Sequence, residues 1–430
     1  MSRRAHWAAE NTVISRLMAE ALARPELISL AAGFVDTTTL PVEPLRIAFD
    51  ALWSDSVRCR AALQYGTTIG HTPLRDAILQ RMLMSDRQAG NPHKPSIEQV
   101  VLTAGSNQIL ELVADTLLDP GDIVLTSAPS YFVYLSTLNG MGARTVGVAM
   151  DRDGMIPEAL DEQFARFRAS GELSKVKAVY VTSYFDNPCG VSTPVERRHA
   201  ILEIVRKWSQ ENFIYILEDA AYRELRYFGE DVPSLYSLAW DGLTNKSSAS
   251  GIAEERVVYA GTFSKSFSPG VRIGWGVLPK SLVGPVLAQK GNLDFGSPHL
   301  NQVLMALVME TGLFDKNLKT VCDQYRSKLS ATLAGIDAYL VPLGCSPWTR
   351  PGGGLYVWLQ LPEHVDATLH GSLFGHALEQ GMMFVPGDCC FPNEGHAAPK
   401  NVLRLSFGVP SIEQIGQGLL LLAEAVRRVA

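Results

Sequence analysis

No apolar run in this sequence approaches the roughly 20 residues that a membrane-spanning helix needs. Its lysines and arginines do not gather into a block, and the net charge is −6. Both facts argue against a nucleic-acid partner, which would need a basic stripe to follow phosphates. Metal-ligand spacing is missing too: the nine histidines show no H-E-x-x-H pattern. The six cysteines (Cys59, Cys189, Cys322, Cys345, Cys389 and Cys390) include no C-x-x-C pair, and the adjacent Cys389 and Cys390 are poorly placed for a disulfide. Reduced thiols are the expectation. At the N-terminus MSRRAHWAAEN has two arginines with no apolar stretch behind them. Neither a signal peptide nor an anchor is expected, and the default address is cytoplasmic.

The 430 residues are 47% hydrophobic, enough for a sizeable core and more than one structural unit. Short β-branched runs recur between helix-like stretches. Gln99–Gly105, Asp122–Ser127, Lys177–Ser183, Phe213–Asp219, Arg256–Gly261 and Ile273–Leu278 read as buried strands, with Asn107–Leu118 and Val195–Ser209 as helices between them. That alternation predicts an α/β unit with a mostly parallel sheet covered on both faces. Ligands in such sheets sit beyond the carboxyl ends of the strands. After about residue 300 the pattern changes. Helical stretches (Gln302–Met309, Asp315–Tyr339) lead to strands Tyr356–Pro362 and Val402–Phe407 and a final helix Ile412–Val429, which together read as a smaller α+β unit. The expected organisation is an N-terminal arm (1–45) lying with the small unit or on a partner subunit, a large unit (46–300) and a small unit (301–430). The arm carries a predicted helix Ser15–Ala23, and Asn245–Gly251 reads as a surface loop.

Several strand ends carry residues with chemical potential. GTFSKSFSPGVRIGW places Lys265 in a loop with Thr262, Ser264, Ser266 and Ser268, and Arg272 follows seven residues on. An imine-forming lysine needs such hydroxyls and a cation nearby to hold an anionic group; alone, the segment also reads as a solvated Ser-rich turn. In LEDAAYREL, Asp219 stands where a carboxylate could pair with a pyridinium nitrogen and make the ring an electron sink. Tyr222 follows three residues later. A helix N-cap is the plain alternative for Asp219. Asn187–Pro188 in SYFDNPCG would aim an amide outward, or be an ordinary turn. Gly105–Ser106 opens a helix and offers free N–H groups to an anion, or Ser106 simply caps it. Tyr131 in APSY could stack on a planar ligand, or be a half-buried core tyrosine.

Taken together and in order, these segments resemble the class I aminotransferases of fold type I that use pyridoxal 5′-phosphate (PLP), and most of all the 2-aminoadipate and kynurenine aminotransferase branch. The carriers are G-T-x-S-K-x-x-x-P-G-x-R, E-D-x-x-Y, N-P-x-G and A-P-S-Y, with ALQYGTTIGHTPLRDAI, GGGLYVWLQLP, FVPGDCCF and NVLRLSFG, from about Ser15 to the C-terminus. The resemblance implies a fold type I PLP-dependent transferase: a mostly parallel seven-stranded sheet plus a smaller α+β domain. It implies that Lys265 forms the internal aldimine and moves the proton during catalysis, and that Asp219 pairs with the pyridine nitrogen. Asn187 and Tyr222 would bond the phenolic oxygen, and Tyr131 would stack on the ring. Ser106, Asn107, Thr262, Ser264 and Arg272 would hold the phosphate, and Tyr65 would reach the phosphate of a neighbouring subunit, making a homodimer. Arg404 would grip the substrate α-carboxylate through a bidentate pair, and Gly33 would lie near the substrate.

Four positions depart from the family pattern: Cys189 in N-P-C-G, Ala220 after E-D, Ser106–Asn107 for G-S-Q, and Ala31–Ala32–Gly33–Phe34–Val35 for A-G-G-x-P. The last bears on substrate identity rather than on reaction type. Arg16 aligns with an arginine that reads an acidic side chain in part of the branch, or is an exposed cation on an N-terminal helix. The reaction implied is transfer of an amino group between an amino acid and a 2-oxo acid in two half-reactions. A PLP-dependent lyase, decarboxylase or racemase would use the same Lys265 and Asp219. A PLP-sensing regulator would carry a DNA-binding domain ahead of this module, for which the sequence leaves no room.

Overall fold

The computed structural model describes residues 1–9, 23–24, 26–87, 94–241 and 255–429. The predicted helix Ser15–Ala23, apart from Ala23, and the predicted loop Asn245–Gly251 lie outside them. Strand β1 (Ile28–Ser29) is followed by β2 (Val100–Thr103), β3 (Ile123–Ala128), β4 (Arg144–Asp151), β5 (Gly154–Met155), β6 (Val176–Thr182), β7 (Tyr215–Asp219), β8 (Val257–Thr262) and β9 (Gly274–Val277). The last eight form one sheet in the order β2-β9-β8-β7-β6-β3-β4-β5. Strands β8, β7, β6, β3 and β4 run parallel, β9 runs against both β8 and β2, and β5 folds back on β4.

Every residue of β2, β3 and β8 is buried, as expected of a sheet with helices on both faces. One face packs Val101, Val124, Tyr180, Leu217 and Val258 against Ile109, Leu110 and Val113 of the helix Ser106–Leu117. That helix forms because its apolar residues recur on one stripe and Gly105 supplies the backbone at its start. The six strands read from the sequence are all present. The sheet has eight strands where seven were expected, because the two-residue β5 returns on the end of β4. Strand β4 itself escaped the sequence reading: Gly147 interrupts its β-branched run, and a Cβ there would stand 2.9 Å from that of Ala128.

Beyond residue 298 come the helices His299–Glu310 and Leu313–Gly335, the latter continuing as a π-helical stretch, Ile336–Leu340. Strands β10 (Ser346–Pro347), β11 (Tyr356–Gln360), β12 (Met382–Met383), β13 (Val385–Pro386) and β14 (Val402–Ser406) follow. An antiparallel sheet β10-β11-β14-β13 shares one core with the helix Ile412–Val429, whose buried Ile415, Leu419, Leu422 and Val426 form one helical stripe. Strand β1 pairs with β12, so residues 28–29 lie with this unit. The first helix, Arg3–Ala9, lies instead on the large unit, with Arg4 paired to Asp115 and Trp7 packed against Gly142.

Candidate active site

Parallel strands all end on the same edge of a sheet, so loops far apart in sequence meet there. β6 ends at Thr182, β7 at Asp219 and β8 at Thr262, and these three residues line one cleft of about 210 Å³ with Ser106, Asn107, Tyr131, Asn187, Tyr222, Ser264, Lys265 and Arg272. Most of the sequence-predicted residues therefore come together. One does not: Tyr65 is 81% exposed and packs edge-on to Phe295, away from this cleft. Arg16 lies outside the described residues.

Lys265 donates from Nζ to the Gly33 carbonyl at 2.7 Å. Burial, helped by the nearby positive charges of Arg404 and Arg272, lowers its pKa, and Tyr356 acts the other way. A partly buried amine with a lowered pKa is a nucleophile in waiting. Gly33 thus touches the lysine, and a Cβ on it would come within 2.7 Å of the Tyr356 hydroxyl. Asp219 is buried, accepting from the Tyr180 hydroxyl at 2.8 Å and from the Ala221 backbone N–H at 3.0 Å. Burial raises its pKa against both bonds, so the carboxylate is short of a cation.

At the other end of the cleft, Gly105 (φ 87°) opens the helix Ser106–Leu117 with no side chain capping it. Only glycine suits that backbone, and an added Cβ would stand 2.9 Å from Arg272 Nη2. Arg272 itself is held in the left-handed region (φ 50°, ψ 51°), and its Nη2 donates to the Ala104 carbonyl at 2.8 Å. Thr262 and Ser264 bond each other at 2.9 Å. Open helix N–H groups, hydroxyls and a guanidinium make a cradle for a phosphate-sized anion.

Arg404, on β14, is buried, with Nη1 donating to Asn187 Oδ1 at 2.7 Å and Nη2 to the Ala31 carbonyl at 2.7 Å. Its Nε is buried with no partner, and no carboxylate among the described residues pairs with it. A buried guanidinium without a counter-ion is costly and calls for an anion. Around the cleft the described residues set three cations, Lys265, Arg272 and Arg404, against one carboxylate, Asp219, so the site suits a ligand with two anionic groups and a protonated nitrogen. Tyr131 lines the same cleft, with burial raising its pKa and an Asn107 hydrogen bond opposing.

Sequence reasoning missed four contributors. Tyr180 holds Asp219; its place two residues before Thr182 on β6 puts both on one face, a signal the period of two carried. Tyr356 and Phe132 flank the Arg404 guanidinium at 4.3 and 5.2 Å from their ring centres. Phe34, 55% exposed, stands at the cleft mouth. The departures Cys189 and Ala220 are both buried, Cys189 with its backbone N–H donating to Asp186.

The family profile described as aminotransferase class I and II matches residues 25–415. Among characterised proteins, the chain is 34% identical over 403 residues to aromatic-amino-acid aminotransferase 1 of Thermococcus litoralis, covering 94% of this chain and 88% of that one. It is 33% identical over 405 residues to 2-aminoadipate transaminase of Thermus thermophilus, covering 94% and 91%. Its structure is similar to that of a kynurenine aminotransferase of Pyrococcus horikoshii in complex with PMP, with a TM-score of 0.83, 29% identity and coverage of 96% and 94%.

Proposed function

The chain belongs to the class I and II aminotransferase family, and we propose that the cleft around Lys265 is where it moves amino groups. It has the fold type I architecture and is a PLP-dependent transaminase. Bound in the cleft, PLP supplies a carbonyl carbon to receive the amino group and a ring to accept an electron pair. The residues fit that group: the cradle at Gly105–Ser106 and Arg272 matches its phosphate, and Asp219, short of a cation, matches its ring nitrogen.

The chain's own groups then divide the work. Lys265 would hold the cofactor covalently and, freed by the substrate amine, would move a proton at the substrate's α-carbon. Asp219, oriented by Tyr180 and the Ala221 N–H, keeps the ring nitrogen protonated. Asn187 and Tyr222 would bond the phenolic oxygen, Tyr131 would lie against the ring, and Ser106, Asn107, Thr262, Ser264 and Arg272 would hold the phosphate. Arg404 binds the α-carboxylate of the amino acid and then of the 2-oxo acid. The buried Arg404 guanidinium with no carboxylate of its own carries this reading. The lyase, decarboxylase and racemase readings are not favoured by the family match. The test is to incubate the PLP form with single amino acids and follow its conversion to pyridoxamine phosphate. No conversion with any amino acid would defeat transamination in this cleft, and the pattern of conversion names the donor.

A donor with a second carboxylate needs a further cation. Apart from Arg404, taken by the α-carboxylate, the described residues around the cleft offer only Lys265 and Arg272, so acidic donors such as 2-aminoadipate or glutamate would depend on Arg16. Changing Arg16→Ala should weaken acidic donors alone, and an equal effect on neutral donors would sink that role. The chain is further read as a homodimer sharing its sites. Support comes from exposed apolar side chains, Val42, Trp53, Val57, Leu63 and Phe295, the last packed against the exposed Tyr65. Tyr65 would serve the partner's phosphate. Hybrid dimers of Tyr65→Ala and Lys265→Ala chains should then recover one intact site, and absence of recovery would overturn the shared site. A cytoplasmic address is supported by six unpaired cysteines; no helix among the described residues is long and apolar enough to cross a membrane.

A further inference from the structure

Tyr356 is buried on β11, opposite Ser406 and two residues before Trp358, which faces Arg404 across the strand pair. Tyr356 and Arg404 therefore share one face, and the guanidinium lies 4.3 Å from the ring centre. The Tyr356 hydroxyl meets the Tyr222 hydroxyl at 3.1 Å, with the two rings edge-on at 5.6 Å. Among the described residues neither hydroxyl has another hydrogen-bond partner. Gly33 closes the far side of the Tyr356 hydroxyl, since a Cβ there would approach to 2.7 Å.

We propose that Tyr356 is a positioning residue for Tyr222, the outer member of a two-hydroxyl chain that ends on the phenolic oxygen of the cofactor. This rests on the reading of the Lys265 cleft as the PLP site. Each phenol has one proton to give. With its own proton given to the phenolic oxygen, Tyr222 can only accept at the 3.1 Å contact, so Tyr356 is the donor there. Serial hydrogen bonds polarise one another, so Tyr222 becomes a stronger donor than it would be alone. A stronger donor stabilises negative charge on the phenolic oxygen, and the lysine-linked cofactor then loses its proton at a lower pH.

The test is a spectrophotometric pH titration of the holoenzyme, reading the midpoint of the visible absorbance change in wild type, Tyr356→Phe, Tyr222→Phe and the double variant. Tyr356→Phe keeps the ring and removes one oxygen, so packing against Arg404 is preserved. The expected result is a midpoint raised by about half a pH unit in Tyr356→Phe, a larger rise in Tyr222→Phe, and no further rise in the double variant. An unchanged midpoint in Tyr356→Phe, or additive shifts in the double variant, would overturn the hydroxyl chain alone. Wild-type protein with no visible absorbance after reconstitution would overturn both the chain and the PLP site on which it depends.

Discussion

Arg404 and Asn187 meet at 2.7 Å, guanidinium to side-chain amide, across the boundary between the small and large units. One comes from strand β14 and the other from the loop after β6, so the contact ties the proposed carboxylate clamp to the proposed cofactor pocket. Arg404→Lys would keep a positive charge but lose the fork that reaches Asn187, Ala31 and a carboxylate together. Losing two charge-assisted bonds to the substrate is worth roughly 3–4 kcal/mol, or about 10²–10³-fold in kcat/KM. The cofactor's visible spectrum should be unchanged, because the lysine is untouched. A kcat/KM within a few-fold of wild type would remove Arg404 from substrate binding.

Lys265 carries the covalent claim. Borohydride should fix a pyridoxyl group at Lys265 in the wild-type protein, found there by peptide mass analysis. Lys265→Ala should show no trapped group and lose at least about 10²–10⁴-fold in turnover, the usual contribution of a placed acid–base group. A trapped group on any other lysine would move the site.

Asp219→Asn separates charge from shape. The amide can still accept the Ala221 N–H, yet it offers no anion to a ring nitrogen. Turnover should fall by at least about a hundredfold while PLP remains bound, since fixed charge at a reacting group contributes on that scale. Equal turnover in the variant would show that the carboxylate does no electronic work.

Six strands of the large sheet were legible because buried parallel strands are written as β-branched runs bounded by turn residues. Strand β4 was not, because Gly147 and Met150 blur its run, and the two-residue β5 carries no period at all. The site followed the same logic. Lys265, Asp219, Asn187, Ser106 and Arg272 sit in short segments whose spacing is informative. Tyr180 and Tyr356 lie inside strands, where a tyrosine reads as core until the tertiary fold shows which way its hydroxyl faces. Tyr65, which the family resemblance assigns to a neighbouring subunit's site, stands outside the cleft of its own chain.

Behind the catalytic edge, Arg198 and Glu218 form a fully buried pair at 3.3 Å. Glu218 also accepts from Ser183 Oγ and from the Leu235 and Tyr236 N–H groups, and Arg198 donates to the Ser183 carbonyl. Removing one partner strands a charge in the core, so Glu218→Ala should cost about 3–5 kcal/mol in denaturant unfolding. The exposed pair Lys207–Asp161 should be worth no more than about 1 kcal/mol by the same measurement. Similar losses for the two pairs would show that burial does not govern them.

Asp186 offers a test by pH. It is buried beside Asn187, and its Oδ1 accepts the backbone N–H groups of Cys189 and Val191. Burial raises its pKa to about 7 despite those bonds. The unfolded chain releases this proton as pH rises past the ordinary value of 3.8, while the folded chain holds it until about 7. Across that window the folded state binds more protons, so this group's contribution to stability falls as pH rises, and the loss is complete above about 7. Asp186→Asn keeps an oxygen for both N–H groups and removes the titration. The variant should match wild type near pH 4 and be more stable than it at pH 8, by an amount on the order of a few kcal/mol. Denaturant midpoints at the two pH values read the difference directly. A variant that loses as much stability as wild type between them would show that Asp186 ionises in the fold at little cost.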